Sequence, residues 1–387
     1  MRAPSTDREA VLAEVPGGGA GRPTVATIDL DALAHNYAEV CARIRGRKVL
    51  AMVKAQAYGH GAVAVSRRLA DLGVAMFGVA LVEEGIELRR AGISQPILVM
   101  SPVFPGQAEA VIEAGLTPVV FNAPLARALS EAAVKAGVSQ PVHVKVDTGM
   151  GRLGMSPEDA ADLVPVIAGL PGIVVEGVMT HFADADLRDK QFAAAQMDRF
   201  EKFLRAIEER GVSVPLRHAA NSAAVLEYDR ALFTMVRPGI MLYGCNPLES
   251  GVDAGLRPVL SLRTRIAFLK KLPAGTPVSY GRTFVTKRES LIATVPLGYA
   301  DGYRRGLSNR GEMLVRGQRA AVAGRVCMDM TMLDVTDVPG VAEGDDVVAI
   351  GSQEKERITA DEIASRTGTI SYEVLCGISS RVPRSYV

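Results

Sequence analysis

From about residue 30 to residue 240, short apolar runs alternate with longer stretches whose apolar residues recur every three or four positions. The runs at 49–53, 76–80, 97–100 and 118–121 are almost wholly apolar, as strands covered on both faces should be. Runs at 142–146, 174–179, 216–219 and 234–237 carry polar residues and still read as strands. Helical periodicity occupies the gaps at 108–114, 125–136, 159–168 and 192–210. A first helix over 31–40 opens on an acidic N-cap candidate, Asp31. Eight strands separated mostly by helix-sized gaps is the count of an α/β fold of the (β/α)8 TIM-type barrel kind. An open doubly wound sheet is the competing arrangement, but no G-x-G-x-x-G follows the first strand.

Past about residue 256 the texture changes. Strand-like runs at 260–270, 290–296, 312–315, 320–326, 330–335 and 346–350 are separated by turn residues, with one helix candidate at 359–365. The pattern predicts a mainly β C-terminal domain over 257–387, following a barrel over 24–256. Residues 1–23 contain Pro16-Gly-Gly-Gly19 and Gly21-Arg22-Pro23 and read as a flexible N-terminal tail. A phosphate-cradling role for those glycines lacks the preceding strand and following helix it would need.

Composition narrows the class. With 48% hydrophobic and 22% charged residues the chain suits a globular protein. Its 44 basic and 43 acidic residues leave a net charge of +1, so nothing points to nucleic acid or an anionic membrane. No apolar run reaches the ~18 residues of a membrane span. The first two dozen residues include Asp7, Glu9 and Glu14 and do not read as a secretory signal. Cys41, Cys245, Cys327 and Cys376 form no CxxC pair, which argues against a zinc site or disulfide framework and for a reduced, cytoplasmic enzyme.

Barrel enzymes carry their chemistry where strands end, and here successive strand ends are polar. Lys54 follows the first strand; Lys145, Asp147 and Arg152 end or follow the fifth; Thr180 and His181 follow the sixth. The seventh leads to His218, Asn221 and Ser222, and the eighth to Arg237 and Gly239. A lysine walled by apolar residues loses its proton more easily than a surface one, and a neutral amine is what condensation with an aldehyde cofactor needs. A lysine snorkelling at a strand end is the plainer reading of Lys54 taken alone. Asn221-Ser222 and Arg237-Pro-Gly239 offer hydroxyl and backbone donors for a phosphate without a Walker loop, with helix capping as the plainer alternative for Asn221 and Ser222.

The run Ala51-Met-Val-Lys54-Ala-Gln-Ala-Tyr58-Gly-His60-Gly61 resembles the cofactor-lysine motif of the alanine racemase family, pyridoxal 5'-phosphate enzymes of D-alanine supply. The likeness continues through Asp147-Thr-Gly-Met-Gly-Arg152, Thr180-His181-Phe182, Asn221-Ser222-Ala223 and Arg237-Pro-Gly239. It extends through Val278-Ser-Tyr280-Gly281, Gly298-Tyr299-Ala-Asp-Gly302, Arg325-Val-Cys-Met328-Asp329, Ser371-Tyr372-Glu-Val374 and Arg381-Val-Pro-Arg384. All but the first two dozen residues are covered, in order.

The resemblance implies that two acid/base groups flank a planar intermediate: Lys54, which also holds the cofactor covalently, and Tyr280. It implies cofactor binding by Tyr58, Asn221, Ser222, the backbone near Gly239 and Tyr372, with His181 against the ring and Arg237 donating to the pyridine nitrogen. A fixed cation there disfavours protonation of that nitrogen, which weakens the ring as an electron sink and suppresses transamination. Arg152 and the Met328 backbone match contacts to the substrate carboxylate, Asp329 stands beside Met328, and Tyr299 matches a residue lining a narrow access to the site. A tyrosine near pKa 10 needs cations to act as a base, and the family's supporting arginine and histidine are matched by Arg152 and His218. Lys145 matches a position that is often a carbamylated lysine; a plain lysine paired with Asp147 is the alternative.

By the same resemblance the enzyme is a head-to-tail homodimer, so Tyr280, Tyr299 and Met328 are expected to serve the partner's Lys54. Gln56 departs from the Asn or Asp frequent in the family. A serine, lysine or broad-specificity amino-acid racemase shares nearly every motif. A decarboxylase of the same build would carry a Gly-rich phosphate loop at Asn221-Ser222-Ala223, and a non-catalytic cofactor-binding protein would lack the second domain. His35, His60, His143, His181 and His218 form neither H-x-H nor HExxH, against a metal-dependent hydrolase. The expected activity is racemisation of alanine, a small amino-acid substrate, for peptidoglycan.

Overall fold

The computed structural model describes residues 21–387. The described chain forms two compact units: Asp29–Leu260 with Ile370–Cys376, and residues 21–28 with Ser261–Thr369 and Gly377–Val387.

In the first unit lie eight parallel strands: β1 (Lys48–Met52), β2 (Met76–Val79), β3 (Ile97–Val99), β4 (Thr117–Val120), β5 (Gln140–Lys145), β6 (Ile173–Met179), β7 (Leu216–His218) and β8 (Met235–Val236). Each coincides with an expected strand. Their order is β7-β6-β5-β4-β3-β2-β1-β8, with β8 returning to pair with β1 through Lys48 and Met235. The β7–β8 seam has no regular ladder among the described residues. It is bridged by Thr234 N–H to the Arg217 carbonyl at 3.2 Å, Arg217 N–H to the Thr234 hydroxyl at 2.8 Å, and Arg237 N–H to the Ala220 carbonyl at 2.9 Å. The (β/α)8 barrel is therefore nearly closed.

The strands are apolar because helices cover their outer faces while side chains fill the centre. Leu50, Phe77, Ile97, Leu98, Val119 and Val144 are completely buried, each contributing about 1.5–3 kcal/mol of transfer free energy. Gly177 on β6 leaves room for the His143 imidazole inside the barrel, since a Cβ there would lie 2.5 Å from that ring. The helices include Leu30–Ile44, Ala62–Asp71, Val82–Arg90, Ala108–Glu113, Ala123–Ala136, Pro157–Ala168 and Gln191–Glu209.

The first helix is capped by Asp29 rather than Asp31. Asp29 is extended and accepts from the N–H groups of Asp31 (3.0 Å) and Ala32 (2.7 Å), whereas Asp31 lies inside the first turn and pairs with Arg68. After the second unit has been built, the chain returns to the barrel as the helix Ser371–Cys376, packing on Gly59 so closely that any Cβ there would strike the Leu375 carbonyl.

The second unit is mainly strand. One sheet runs Phe268–Leu272, Ser290–Val295, Thr331–Asp334, Gln318–Val322, Glu312–Val315, Asp346–Gln353, Leu260–Arg265, Val25–Ile28 and Arg384–Tyr386. The last two strands are parallel, with Ala26 opposite Arg384. Thr359 caps its one long helix, Ala360–Thr367. A separate hairpin of Pro277–Val278 and Phe284–Val285 carries Tyr280. Of the expected tail, residues 1–20 lie outside the described residues, and Arg22 donates to the buried Asp301 carboxylate at 2.6 Å. No helix among the described residues is long and apolar enough to cross a membrane.

Candidate active site

Where the barrel strands end, a cavity of about 610 Å³ opens, lined by Lys54, Lys145, Arg152 and Arg237 together with Tyr58, Tyr372, Ser222 and His181. Its size is that of a site for a small organic ligand. Four cations meet there, and among the described residues no aspartate or glutamate lines the wall. Such a surface is complementary to an anion.

Lys54 leaves β1 directly into the cavity. Burial lowers its pKa, Arg152 lowers it further, and Glu84 opposes both. The next four residues, Ala55, Gln56, Ala57 and Tyr58, have φ between 51° and 55°. None is glycine, so this single left-handed turn costs about 1–2 kcal/mol per residue. His60 Nδ1 helps to hold it, donating to the carbonyls of Ala57 and Tyr58 at 3.0 Å each. The turn faces both Lys54 and Tyr58 into one cavity. The Tyr58 hydroxyl sits over Gly239, where a Cβ would collide with it, and Gly239 N–H donates to Ser222 Oγ at 2.8 Å. The Tyr372 ring stands 6.0 Å from that of Tyr58. Burial pushes the Tyr58 phenol up, so it stays a neutral hydroxyl. Asn221 lines the cavity, but its Oδ1 is occupied in capping the helix Ser222–Glu227 through Ala224 N–H at 3.0 Å.

Arg237 is buried at the end of β8. It donates to the carbonyls of Thr180 (2.8 Å) and Ala219 (3.0 Å), and contacts Nδ1 of His218 at 3.1 Å and Nδ1 of His181 at 3.2 Å. A guanidinium has donors and no acceptor, so both Nδ1 atoms must present lone pairs. His218 therefore carries its proton on Nε2 and gives that bond to His143 Nδ1 at 2.8 Å. His143 in turn holds its proton on Nε2, 3.4 Å from the Glu176 carboxylate. Burial, with His143 and Arg237 next, holds His218 well below the ordinary 6.5. Burial and Arg237 do the same for His181, and burial lowers His143.

Two expected roles meet local constraints. Both ring nitrogens of His218 are engaged inside the barrel, one by Arg237 and one by His143. Lys145 makes no ion pair with Asp147 among the described residues: the Asp147 carboxylate accepts from the N–H groups of Gly149 (2.9 Å) and Gly151 (3.1 Å). Burial, then Arg237 and Arg152, brings the Lys145 amine down to about 8.

The remaining site candidates belong to the second unit. Tyr280 is 70% exposed, between Ser279 and Gly281, both at positive φ. Tyr299 and Met328 are also exposed. Their loops are stitched together by Tyr299 N–H to the Cys327 carbonyl and Ala300 N–H to the Met328 carbonyl, each 3.0 Å. Asp329 pairs with Arg381 at 2.7 Å. Sequence reasoning missed Glu84, whose carboxylate reaches the turn after Lys54; only its place near a helix start could have hinted at it.

Family models of the alanine racemase N-terminal and C-terminal domains match residues 28–247 and 259–386. The chain belongs to the alanine racemase family. The alanine racemase of Halothermothrix orenii is 47% identical over 369 residues, 94% of this chain and 97% of that one. The solved alanine racemase of Clostridium difficile 630 matches with a TM-score of 0.92 at 37% identity, over 95% of this chain and 97% of that one. The Bacillus anthracis alanine racemase with bound L-Ala-P matches with a TM-score of 0.89 at 36% identity, over 96% of each chain.

The imidazole chain of this alanine racemase family member has a consequence for stability. His143, His181 and His218 are neutral in the fold, so below pH 6.5 the unfolded chain binds more protons than the folded one. Stability is then complete above 6.5 and falls as pH drops toward 5, by up to about 1.4 kcal/mol per pH unit per imidazole. Urea midpoints measured between pH 7.5 and 5 should show this fall, with a shallower slope in His143→Gln. A midpoint independent of pH across that window would contradict neutral imidazoles.

Proposed function

We propose that the protein interconverts L-alanine and D-alanine with pyridoxal 5'-phosphate held in the barrel cavity, and so supplies D-alanine for peptidoglycan. The observation that carries this reading is the cavity with four cations, no carboxylate among its described lining residues and a lysine of lowered pKa at the exit of β1. The donor set fits a phosphorylated aldehyde. Tyr58, Ser222, Tyr372 and the backbone at Gly239 would hold the phosphate, and Lys54 would hold the aldehyde carbon. Pyridoxal 5'-phosphate supplies a covalent attachment point and a conjugated ring that spreads the negative charge left at the substrate Cα.

The protein's own groups set how the proton moves. Lys54 Nζ, its proton affinity lowered by burial and Arg152, takes or gives the proton on one face of Cα. Tyr280 Oη of the partner subunit would do so on the other face, in a head-to-tail homodimer; its exposure on its own unit supports that use. Arg237 can only donate, so a ring nitrogen seated against it would be kept unprotonated. Arg152 and the backbone at Met328 would orient the substrate carboxylate, and Tyr299 would narrow the access. Lys145, among cations and without an ion-paired carboxylate among the described residues, is suited to carry a carbamate, which would answer Arg152 with a negative charge. The wide spacing of the cysteines, with no CxxC pair among them, supports residence in the cytoplasm.

Incubation of the cofactor-loaded protein with L-alanine, L-serine and L-lysine in D2O, scored by chiral chromatography with mass detection, tests the activity. D-alanine carrying Cα deuterium should form far faster than D-serine or D-lysine. Comparable inversion of serine or lysine would move the assignment to a broader racemase, and absence of deuterium in every substrate would overturn racemisation. The shared site is tested by mixing Lys54→Ala chains with Tyr280→Phe chains. Each alone should lose about 10²–10⁴-fold or more, and verified heterodimers should recover part of the activity. Heterodimers as inactive as either parent would contradict shared sites.

A further inference from the structure

A left-handed turn of four non-glycine residues does not hold itself in place. Its backbone contributes Ala57 N–H to the Val53 carbonyl and Gly61 N–H to the Gln56 carbonyl, both 2.8 Å. His60 adds its bonds to the Ala57 and Tyr58 carbonyls, and the helix Val82–Arg90, which follows β2, adds side-chain acceptors. Glu84 accepts Ala55 N–H on Oε1 at 2.6 Å, and on Oε2 it accepts the N–H groups of Ala80 (2.7 Å) and Leu81 (3.1 Å). One turn farther along, Glu87 accepts the Gln56 amide at 2.9 and 3.1 Å, while Gln56 Oε1 receives Ala62 N–H at 3.3 Å.

An acidic residue three places into a helix commonly bonds back to the N-cap N–H, and Leu81 is that partner here. Capping explains Oε2. It does not explain Oε1, which points away from its own helix to the peptide immediately after Lys54. One carboxylate thus ties together the loops leaving β1 and β2, both of which line the cavity through Lys54, Ala55 and Ala80. Gln56 is long enough to reach Glu87, which gives this departure from the family's shorter residue a physical role.

We propose that Glu84 is a positioning residue for Lys54: its carboxylate straps the left-handed turn to the loop after β2, with the Gln56–Glu87 bond as a second fastening. The proposal rests on the reading of Lys54 as the cofactor lysine and acid/base group. Glu84 is also an anion acting on Lys54 against burial and Arg152. Removing its charge should move Lys54 further toward the neutral amine.

The test uses the cofactor-loaded enzyme with Glu84→Gln, Glu84→Ala and, as a control on the same helix turn, Glu83→Gln. A glutamine has one acceptor oxygen in place of two, so it keeps the shape and loses one side of the strap. In Glu84→Gln, kcat should fall about 10- to 100-fold while KM for alanine changes much less. The acid limb of the kcat–pH profile should move to lower pH. Hydrogen exchange at residues 55–58 should speed up by about tenfold or more. Glu84→Ala should exceed these effects, and Glu83→Gln should match the parent. If Glu84→Ala does not fold, Glu84→Gln decides alone. The proposal is overturned if the parent racemises alanine and Glu84→Gln retains its kcat, its pH profile and slow exchange at 55–58. A parent that loads the cofactor elsewhere than Lys54 would instead overturn the underlying reading, while the exchange comparison would still judge the strap.

Discussion

Four positive groups brought to the end of one barrel, without a carboxylate among the described lining residues, is the constraint on which the rest of this structure depends. Like charges at short range raise the energy of the empty fold, and burial raises it further. The chain meets this in two ways. It lowers the proton affinity of the two lysines, Lys54 and Lys145, and it surrounds Arg237 with carbonyl and imidazole acceptors. What remains is a field that a phosphorylated ligand would neutralise, with hydroxyls on Tyr58, Ser222 and Tyr372 at the same place.

Arg237 carries that constraint inward. Because it can only donate, it fixes the lone pairs of His181 and His218, and through His218 the proton of His143. The glycine at 177 exists to make room for that imidazole in the barrel centre. Packing, tautomer and charge at the cavity floor are thus one arrangement, and the ring nitrogen of a ligand seated against Arg237 would meet a donor.

Much of this was legible in the sequence. Eight strand-like runs separated mostly by helix-sized gaps sufficed for the barrel, and strand-like runs separated by turn residues sufficed for the second unit, because both signals are local. The left-handed turn after Lys54 was not legible: Ala-Gln-Ala-Tyr contains no glycine and has no intrinsic preference for positive φ, so tertiary contacts impose it. Nor was the cap at Asp29, since two acids stand two positions apart and only φ and ψ decide between them. The return of Ser371–Cys376 to the barrel, and the pairing of Val25–Ile28 with Arg384–Tyr386, join residues hundreds of positions apart. The partners of the two His218 nitrogens were not legible either: a resemblance transfers residue type but not what occupies each ring atom.

Two lysines line the cavity, so the claim that Lys54 is the one that holds the cofactor can be tested directly. Borohydride reduction of the cofactor-loaded protein, followed by proteolysis and mass mapping, fixes the pyridoxyl group to whichever amine bears it. The account predicts a single modified peptide carrying the group on Lys54. Modification of Lys145, or a protein that binds pyridoxal 5'-phosphate without any reducible bond to lysine, would contradict it.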